Sequence, residues 1–450
     1  MSLEPMRVVV IGGDAAGMSA ASQVKRRVKS AEVLVLEKSE DVSYGACGMP
    51  YNIGYRADIE DLVVLTAEDF KRKRGIDVRL LNEALGLDER NRTVRVKNHA
   101  TGREYELSYD YLVIATGARA NVPPIEGVDR EGVFTLKFLD DARKIKSYID
   151  SKNPKKAVLI GGGFINLELA ENLKRLGMEV VILEKLGDIL LNFEDELREL
   201  VYRKLEEHGV KLILDVDVIS IDEGLVVRTN KGDFHADFIN VAAGIKPNTE
   251  FLTGTTVKLA ENGAVDVDRY FRTNIKNIYA GGDCALIYHR ILDRNVYMPL
   301  GTNANKAGRL AGANIAGANE KFGGIVGTSI FKVFELGVAK SGLSLKEAID
   351  EGYDAFKTTI TAPTTAHGYP HQGSVSVSFI VERKGGRLLG GQVVGDFEGV
   401  WRIDVVAASL YANLTVKDMQ NLDLAYSPPF APVWDPILVC ANQAIKQVVR

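Results

Sequence analysis

One local pattern occurs twice in the chain and constrains its fold more than any other feature. In each copy a short apolar strand leads into a glycine-rich turn, a helix and a second strand. The copies are, in chain order, the strand Arg7–Ile11, the turn 12–17, a helix to about Lys29 and the strand Glu32–Glu37, then the strand Lys156–Ile160, the turn 161–166, a helix to about Leu176 and the strand Glu179–Glu184. Strand–helix–strand units of this kind build parallel sheets. The repeat therefore predicts an α/β protein with two related domains.

Each turn has the chemistry of a dinucleotide site. Backbone N–H groups and the helix dipole at a glycine turn meet a pyrophosphate, and an acidic residue about twenty positions later binds ribose hydroxyls. Glu37 and Glu184 occupy that acidic position. The turns depart from the usual pattern, because Asp14 stands at the second glycine position of the first and Asn166 at the third of the second. Two doubly wound domains without a ligand remain the alternative interpretation.

Other segments predict how these domains end. Buried-looking strands ending in small residues occur near 112–117 and 239–245, and a strand at 277–280 leads into Gly281-Gly282-Asp283 and then a short helix. Asp283 there is either a flavin ribityl ligand or a helix N-cap. After about residue 325, alternating runs such as 375–381 predict antiparallel strands, with helices near 400–412. This last third carries no nucleotide motif and is interpreted as a separate domain.

Composition excludes several classes of protein. With 450 residues, 46% hydrophobic and 26% charged, the chain is expected to be globular and multidomain. A net charge of −4 favours neither a nucleic-acid binder nor a polybasic membrane binder. No apolar stretch approaches a membrane span, and nothing resembles a secretory signal. Three cysteines without CxxC spacing indicate a reducing cytoplasm, no disulfide framework and no protein metal site.

Cys47 is the candidate reactive thiol. Its neighbours in Ser43-Tyr-Gly-Ala-Cys-Gly-Met-Pro-Tyr51 are small, which leaves the sulfur accessible. A helix starting just after it would lower the thiol pKa through its dipole. Cys284, Cys440 and, taken alone, Cys47 are also compatible with the commoner role of a small buried apolar residue.

The motifs together resemble the pyridine nucleotide–disulfide oxidoreductases. Within them the chain is similar to the single-cysteine branch of coenzyme A disulfide reductases, coenzyme A persulfide reductases and NADH oxidases. The resemblance runs from about Met6 to Lys446 and rests on the following segments: 12–20, 46–51, 115–118, 278–283 and 426–430. It implies two Rossmann-like domains, an FAD-binding one at 6–124 and 245–325 and an NAD(P)-binding one at 125–244, and a C-terminal α+β dimerisation domain at 326–450.

The resemblance also assigns roles to residues. Cys47 matches the redox-active cysteine, and Tyr369 and Tyr426 match catalytic tyrosines that a partner subunit supplies, which implies a homodimer. The matched cofactor-binding residues are Gly12, Gly13, Ala15, Ala16, Gly17, Glu37, Lys38, Ala84, Ala115, Thr116, Gly117, Gly161, Gly163, Phe164, Ile165, Glu168, Glu184, Lys185, Gly244, Gly282 and Asp283. The matched coenzyme A residues are Ser19, Gln23, Arg26, Ser43, Arg74, Asn305 and Trp434. Arg26 and Arg74 suit the phosphates of coenzyme A, although they are equally compatible with solvated surface arginines.

Four positions depart from relatives. Ala46 replaces an asparagine of some disulfide reductases, and Asn52 stands where glutathione-reductase-type enzymes carry a second cysteine. Trp434 stands where some relatives carry a basic residue for coenzyme A. Ala15 replaces a histidine that flavin peroxidases and water-forming oxidases often carry, which weakens the peroxidase interpretation.

The expected reaction is reduction of coenzyme A disulfide or a low-molecular-weight persulfide by NADH or NADPH, through FAD and Cys47. The substrate thiol takes the place of the missing second cysteine. Glu184 favours NADH because a carboxylate repels a 2′-phosphate, while Lys185 would blunt that preference. The alternatives are an NADH oxidase working through a Cys47 sulfenate, and a flavin redox carrier or sensor for a protein partner.

Overall fold

Two parallel five-stranded sheets and one antiparallel five-stranded sheet form the framework of the chain in a computed structural model, which describes residues 5–449. Smaller antiparallel sheets fill the connections between their strands. The α/β class and the recurrence of a nucleotide-type unit are thereby confirmed.

The helices and strands follow one another in a simple order. They are β1 (Arg7–Ile11), α1 (Ala15–Arg27), β2 (Glu32–Leu36), α2 (Met49–Gly54), α3 (Ala67–Arg74), β3 (Asp77–Arg79), β4 (Asn82–Asp88), β5 (Thr93–Asn98), β6 (Glu104–Ser108), β7 (Tyr111–Ile114), β8 (Ala118–Ala120), β9 (Val133–Phe134), α4 (Leu139–Lys152), β10 (Lys156–Ile160), α5 (Phe164–Arg175), β11 (Glu179–Leu183), α6 (Asp195–Glu207), β12 (Val210–Ile213), β13 (Val218–Asp222), β14 (Val226–Thr229), β15 (Gly232–His235), β16 (Phe238–Val241), β17 (Ile245–Pro247), β18 (Ile278–Ala280), β19 (Ile287–His289), β20 (Arg294–Val296), α7 (Gly301–Ile315), β21 (Ser329–Val333), β22 (Leu336–Gly342), α8 (Leu345–Asp350), β23 (Ala355–Pro363), β24 (Ser374–Glu382), β25 (Leu388–Asp396), α9 (Phe397–Val400), α10 (Ile403–Tyr411), α11 (Val416–Met419) and α12 (Pro436–Ile445). Single 3₁₀ turns lie at Ala46–Gly48, Ile59–Leu62 and Glu250–Leu252.

The first parallel sheet has the strand order β18-β7-β1-β2-β3. The run Val8–Ile11 is buried, as expected of a strand inside a parallel sheet. Because parallel strands share a direction, the turns after Ile11, Leu36, Ile114 and Ala280 meet at one edge. The helices α1 and α7 pack against each other beside this edge.

The second parallel sheet, β12-β11-β10-β16-β9, repeats the arrangement. Its strands β10 and β11 pair along Lys156–Ile160 and Glu179–Leu183, in the same relation as β1 and β2. The helix α5 packs on α2, so the segment after Cys47 lies between the two parallel sheets.

The third sheet, β21-β22-β25-β24-β23, is antiparallel throughout, as the alternating pattern near residues 375–381 predicted. Helices α10, α11 and α12 cover it, and their apolar faces form one core with the sheet. The thiol of Cys440 lies inside that core and donates to the carbonyl of Thr358 at 3.4 Å, which confirms a structural role for it.

One sequence-based expectation is wrong at this level. No helix follows Gly281-Gly282-Asp283, because Ala285 N closes a turn on Gly282 O at 3.1 Å and the chain continues into β19. Asp283 is therefore not a helix N-cap. Among the described residues, none of the helices is both long and apolar enough to cross a bilayer.

Candidate functional site

The first glycine turn is shaped by close backbone contacts. Gly12 has φ +108°, and a Cβ there would lie 2.1 Å from the carbonyl oxygen of Ala115. A Cβ at Gly17 would lie 1.9 Å from the carbonyl oxygen of Gly12, so only glycine lets α1 approach the turn. The turn and the Ala115-Thr116-Gly117 segment therefore form one continuous backbone cradle.

Glu37 is fixed beside this cradle. Its Oε2 accepts from the N–H of Gly13 at 2.8 Å, and its Oε1 accepts from the N–H and hydroxyl of Ser39, each at 2.8 Å. A carboxylate has about four acceptor positions, so one direction is left for an incoming hydroxyl. These three hydrogen bonds hold the Glu37 carboxylate beside the first glycine turn, where a dinucleotide ribose would lie.

The second unit reproduces this geometry. Glu184 accepts from the N–H of Gly162 at 2.6 Å and from the N–H of Leu186 at 2.7 Å. Gly161 has φ +99°, and a Cβ there would lie 2.5 Å from the carbonyl oxygen of Ala242. The exposed Lys185 lies 3.3 Å from Asp217 and not on Glu184.

Asn166, the departure from the third glycine, is fully buried. Its Nδ2 donates to the carbonyls of Ile160 and Gly161 at 2.9 and 2.8 Å, and its Oδ1 accepts from Asn240 Nδ2 at 2.7 Å. The side chain thus faces the sheet and ties the turn to β10 and β16.

Asp283 follows β18, an outer strand of the first parallel sheet, and forms an ion pair. Its Oδ2 lies 2.9 Å from Lys137 Nζ, and Tyr297 donates its hydroxyl to the Asp283 carbonyl at 2.9 Å. Asp14 lies close enough for the charges of Glu37, Lys137 and Asp283 to act on it. Burial, the largest cause, raises the pKa of Asp14 to about 6.

Cys47 lies in the 3₁₀ turn Ala46–Gly48, directly before α2, and it is exposed. The expected helix start is confirmed, but the expected fall of its pKa is wrong. Although Cys47 is exposed, partial loss of water around the sulfur, followed by the charge of Glu168, raises the pKa of its thiol. The helix has only six residues, and Glu168, Asp283 and Asp14 oppose an anion there while Lys137 favours it.

Tyr51, one helical turn after Cys47, donates its hydroxyl to Glu168 Oε1 at 2.6 Å. Burial, the leading cause, raises the pKa of Glu168 to about 7. Glu171 raises it further, whereas the Tyr51 hydrogen bond and Lys332 lower it. This contact joins the cysteine segment to α5 of the second parallel sheet.

Most of the residues matched to coenzyme A lie on α1 or contact it, and together they form the α1 face. Ser19 donates to Asn305 Oδ1 at 2.8 Å, which joins α1 to α7. On α1, Arg26 donates to Gln23 Oε1 at 2.5 Å. Arg74, at the end of α3, donates to Ser22 on α1 at 2.6 Å, so both guanidinium groups lie beside this face. Ser43 lies near the first glycine turn, where its N–H donates to the Gly13 carbonyl at 3.0 Å.

Tyr369, Tyr426 and Trp434 lie in loops of the last third, and none of the described side-chain contacts of this single chain joins them to Cys47. The two loops are held together because Ala366 N donates to Pro428 O at 3.0 Å. The buried Arg402 supports them by donating to Thr364 O and Phe430 O and pairing with Asp435 at 2.8 Å. The loops carry exposed apolar side chains, with Phe430 76% and Trp434 62% exposed.

The other matched residues occupy the two turn regions or their neighbours. Ala15 and Ala16 begin α1, Ala84 lies in β4, Gly282 precedes Asp283, and Gly163, Phe164 and Ile165 begin α5. The Phe164 ring lies 4.5 Å from that of Phe331. Lys38 Nζ lies 5.8 Å from the Phe138 ring. Gly117 and Gly244 both have positive φ and open space around them.

Sequence reasoning missed three polar residues of the site. Tyr51 ends the segment that contains Cys47, and the spacing of four between the two residues indicates one face of a helix. Lys137 and Lys332 belong to no motif, and only the fold brings them to Asp283 and Glu171. Within residues 5–449, no group of three or more His, Cys, Asp or Glu side chains is placed to hold a metal ion.

Comparison with known proteins gives consistent matches. Residues 6–308 match the pyridine nucleotide-disulphide oxidoreductase family, and residues 328–436 match its dimerisation domain. The chain is 42% identical to the "NAD(P)H sulfur oxidoreductase (CoA-dependent)" of Pyrococcus abyssi, over 97% of each chain. It is 31% identical to the "NADH oxidase" of Methanocaldococcus jannaschii, over 98% of this chain and 99% of that one. A solved NAD-dependent persulfide reductase from A. fulgidus superposes with a TM-score of 0.94 and 40% identity, over 98% of this chain and 83% of that one.

Proposed function

The chain belongs to the pyridine nucleotide-disulphide oxidoreductase family, and on that premise we propose that it reduces coenzyme A disulfide, or a persulfide of coenzyme A or another small thiol. NAD(P)H is the electron donor, and FAD and Cys47 carry the electrons. The observation that carries the proposal is the placement of Cys47, which is exposed between the two glycine-turn regions and within the field of both Asp283 and Glu168.

The first edge fits FAD. The close backbone approach at Gly12 and Gly17 brings the start of α1 to the turn, and the N–H groups of its first turn, which has no side-chain cap, can meet a pyrophosphate. Glu37 retains one acceptor direction for a ribose hydroxyl. Asp283 would accept from a ribityl hydroxyl and Lys137 would balance its charge. FAD bound there supplies the chemistry that takes hydride from NAD(P)H and delivers an electron pair to sulfur.

The second edge fits NAD(P)H. Glu184, held by Gly162 and Leu186, would accept from the adenosine ribose, and its charge opposes a 2′-phosphate. We expect NADH to be preferred, because Lys185 lies 3.3 Å from Asp217 and is not engaged with Glu184. Phe164 and Glu168 would flank the nicotinamide.

Cys47 performs the sulfur chemistry. Its thiolate attacks one sulfur of the substrate and forms a mixed disulfide while one thiolate leaves. For a disulfide the balance is NADH + H⁺ + RSSR → NAD⁺ + 2 RSH, and for a persulfide it is NADH + H⁺ + RSSH → NAD⁺ + RSH + H₂S. The α1 face with Ser19, Gln23 and Arg26, together with Ser43, Arg74 and Asn305, would bind the coenzyme A part.

We propose a homodimer in which each chain has an FAD-binding domain at 6–124 and 245–325, an NAD(P)-binding domain at 125–244 and a C-terminal dimerisation domain at 326–450. Tyr369 and Tyr426 would come from the partner subunit and give a proton to the departing thiolate. Trp434 would contribute to the same pocket. The exposed apolar side chains of these loops support burial against a second copy, since Trp434 is 62% exposed in the single chain.

The deciding experiment reduces the enzyme with NADH under anaerobic conditions, then mixes it with coenzyme A disulfide, a coenzyme A persulfide or oxygen and follows flavin reoxidation. We expect both sulfur acceptors to outpace oxygen, and Cys47→Ser to abolish sulfur reduction while Cys440→Ser retains it. Two thiols per NADH identify disulfide reduction, and H₂S identifies persulfide reduction. Sulfur turnover by Cys47→Ser at the wild-type rate would contradict the proposal.

An NADH oxidase is the second candidate, because a relative of nearly full length carries that name. It predicts that oxygen reoxidises the enzyme fastest and that Cys47 is isolated as a sulfenate. A mass spectrum of the isolated enzyme separates the two cases, since coenzyme A released by a thiol reductant supports the disulfide reductase.

A further inference from the structure

The turn that carries Cys47 lies against a second short turn, the 3₁₀ turn Ile59–Leu62. The N–H of Gly45 donates to the carbonyl of Leu62 at 2.8 Å. A Cβ at Gly48 would lie 2.4 Å from Leu62 Cδ2, so a side chain at position 48 would displace that of Leu62. The place of the sulfur therefore depends on where the 59–64 segment lies.

The chain just before Cys47 joins this segment to the first glycine turn. The N–H of Ser43 donates to the Gly13 carbonyl at 3.0 Å, and the carbonyl of Ser43 accepts from the N–H of Val64 at 2.8 Å. Ser43 has φ +52°, a left-handed conformation that costs energy for a residue with a side chain. Such a conformation persists only where its surroundings enforce it. The connection therefore needs support from further contacts.

Arg143 on α4 provides that support. Its Nη1 and Nη2 donate to the Asp41 carboxylate at 2.6 and 2.8 Å, and its Nε and Nη2 donate to the Glu60 carboxylate at 2.7 and 2.8 Å. Each carboxylate is bound through both of its oxygens, an arrangement that requires the planar fork of a guanidinium group. These hydrogen bonds lower the pKa of the Glu60 carboxyl, which keeps it ionised.

Asp41 extends the connection to the first glycine turn. The hydroxyl of Ser39 lies 3.1 Å from the Asp41 carbonyl and 2.8 Å from Glu37 Oε1. The Asp41 side chain is only 13% exposed, so water competes little for its oxygens. A continuous set of contacts thus runs from the acid proposed to bind the FAD ribose, through Arg143, to the turn of Cys47.

We propose that Arg143 is a positioning residue for the sulfur chemistry: by joining Asp41 to Glu60, it fixes the Cys47 turn relative to the FAD-binding edge. This inference rests on the proposed function, because the position of the sulfur affects turnover only if Cys47 exchanges electrons with FAD. A displacement of about 1 Å between reacting atoms can cost roughly 100-fold in rate. Arg143 acts through Glu60 and the 59–64 segment and not on the sulfur itself.

A second ion pair of the same region provides the matched control. Arg56, just after α2, donates to Asp150 of α4 at 3.2 Å, so it also joins α4 to the chain beyond Cys47. This pair is a single contact, and its side chains are 60% and 48% exposed. Arg56→Met therefore removes an arginine from the same junction and leaves the contacts of the 59–64 segment in place.

The first measurement follows hydrogen–deuterium exchange of the FAD-loaded enzyme by mass spectrometry. Arg143→Met leaves the 59–64 segment tied to α4 by fewer contacts, so the amides of Gly45 and Val64 should open more often. We expect the peptides that contain these amides to exchange at least about fivefold faster. Peptides from the antiparallel sheet β21–β25 should exchange as in wild type, and Arg56→Met should change neither region.

The second measurement separates the two halves of turnover by rapid mixing. Reduction of FAD by NADH does not use the sulfur, so Arg143→Met should retain it within about twofold. Reoxidation by coenzyme A disulfide passes through Cys47, and we expect it to slow at least about tenfold. Glu60→Gln leaves the Asp41–Arg143 contacts and weakens the other side, so it should change exchange and reoxidation in the same direction by a smaller factor.

Wild-type exchange and wild-type reoxidation in FAD-loaded Arg143→Met would overturn the inference, as would equal changes in Arg56→Met. A slowing of both half-reactions by the same factor would also overturn it, because general loss of structure predicts that result. If Arg143→Met fails to fold or loses FAD, Glu60→Gln decides by the same two measurements. Failure of the proposed function is distinct, since it appears as absent sulfur reduction in the wild-type enzyme.

Discussion

Lys137 Nζ lies 2.9 Å from Asp283 Oδ2, although 146 positions separate the two residues in the chain. Both side chains are largely shielded from water, in a region that also contains the carboxylates of Asp14 and Glu37. Lys137 therefore offsets an excess of negative charge at an edge where an anionic dinucleotide is proposed to bind.

Replacing Lys137 by Met should weaken FAD binding. The variant leaves Asp283 without its cation and lets three carboxylates act on the pyrophosphate, so we expect Kd to rise about tenfold, or about 1.4 kcal/mol. Quenching of FAD fluorescence on titration with FAD-free protein measures it. Lys144→Met, an exposed lysine on α4 paired with Asp140, is the control, and equal affinities of both variants and wild type would contradict the assignment.

The sequence was informative wherever the cause was local. The apolar run Ala157–Ile160 predicted β10, because the buried residues of a parallel strand are apolar, and the exposed Lys156 begins it. The positions of Glu37 and Glu184 were equally predictable, since strand, turn and helix lengths place an acid beside each turn. The structure adds that Glu37 accepts from the N–H of Gly13 and Glu184 from the N–H of Gly162, each directly after the first glycine of its turn.

Longer-range electrostatics could not be predicted in this way. The helix after Cys47 predicts a low thiol pKa, whereas the dominant effects are burial and the charge of Glu168, which lies 121 positions away. Lys137 also belongs to no motif, because only the fold brings it to Asp283. Asp283 was assigned a possible helix because Gly-Gly-Asp suits a helix start, but the turn closes on Gly282 and a strand follows.

Asp14 should make the stability of the FAD-free protein depend on pH. Its folded-state pKa of about 6 lies above the ordinary 3.8, so the folded state is favoured below about pH 4 and loses that advantage as pH rises through 6. Asp14→Asn mimics the protonated form. We expect it to match wild type near pH 4 and to be more stable by about 3 kcal/mol at pH 8, by urea unfolding. A difference that is the same at both pH values, or that appears equally in the exposed Asp129→Asn control, would show that Asp14 is not responsible.

We predict that the side chain of Asn166, which replaces the usual glycine, stabilises the fold through its hydrogen bonds. Asn166→Ala leaves the Gly161 carbonyl and the Asn240 amide without this partner, and each unmet group costs about 1–3 kcal/mol, whereas the Ile160 carbonyl keeps the N–H of Ala242 at 2.9 Å. We expect a total loss of about 2–4 kcal/mol in the free energy of unfolding. A double-mutant cycle with Asn240→Ala should show coupling, because the second substitution removes a group that the first has already left unpaired. Strict additivity of the two losses would count against the network.

Glu184 should decide between the two nicotinamide cofactors. Its carboxylate is held in place by the N–H groups of Gly162 and Leu186, so it cannot easily turn away from a 2′-phosphate. Glu184→Ala removes the repulsion and also the acceptor for the ribose hydroxyl. We therefore expect kcat/KM for NADPH relative to NADH to rise at least tenfold, mostly through KM, with the maximal rate of sulfur reduction little changed. Glu179→Gln, at the exposed start of the same strand, should leave the ratio as it is. If the ratio in Glu184→Ala stays at the wild-type value, the phosphate position is not beside Glu184, and the preference must arise from other residues near the second glycine turn.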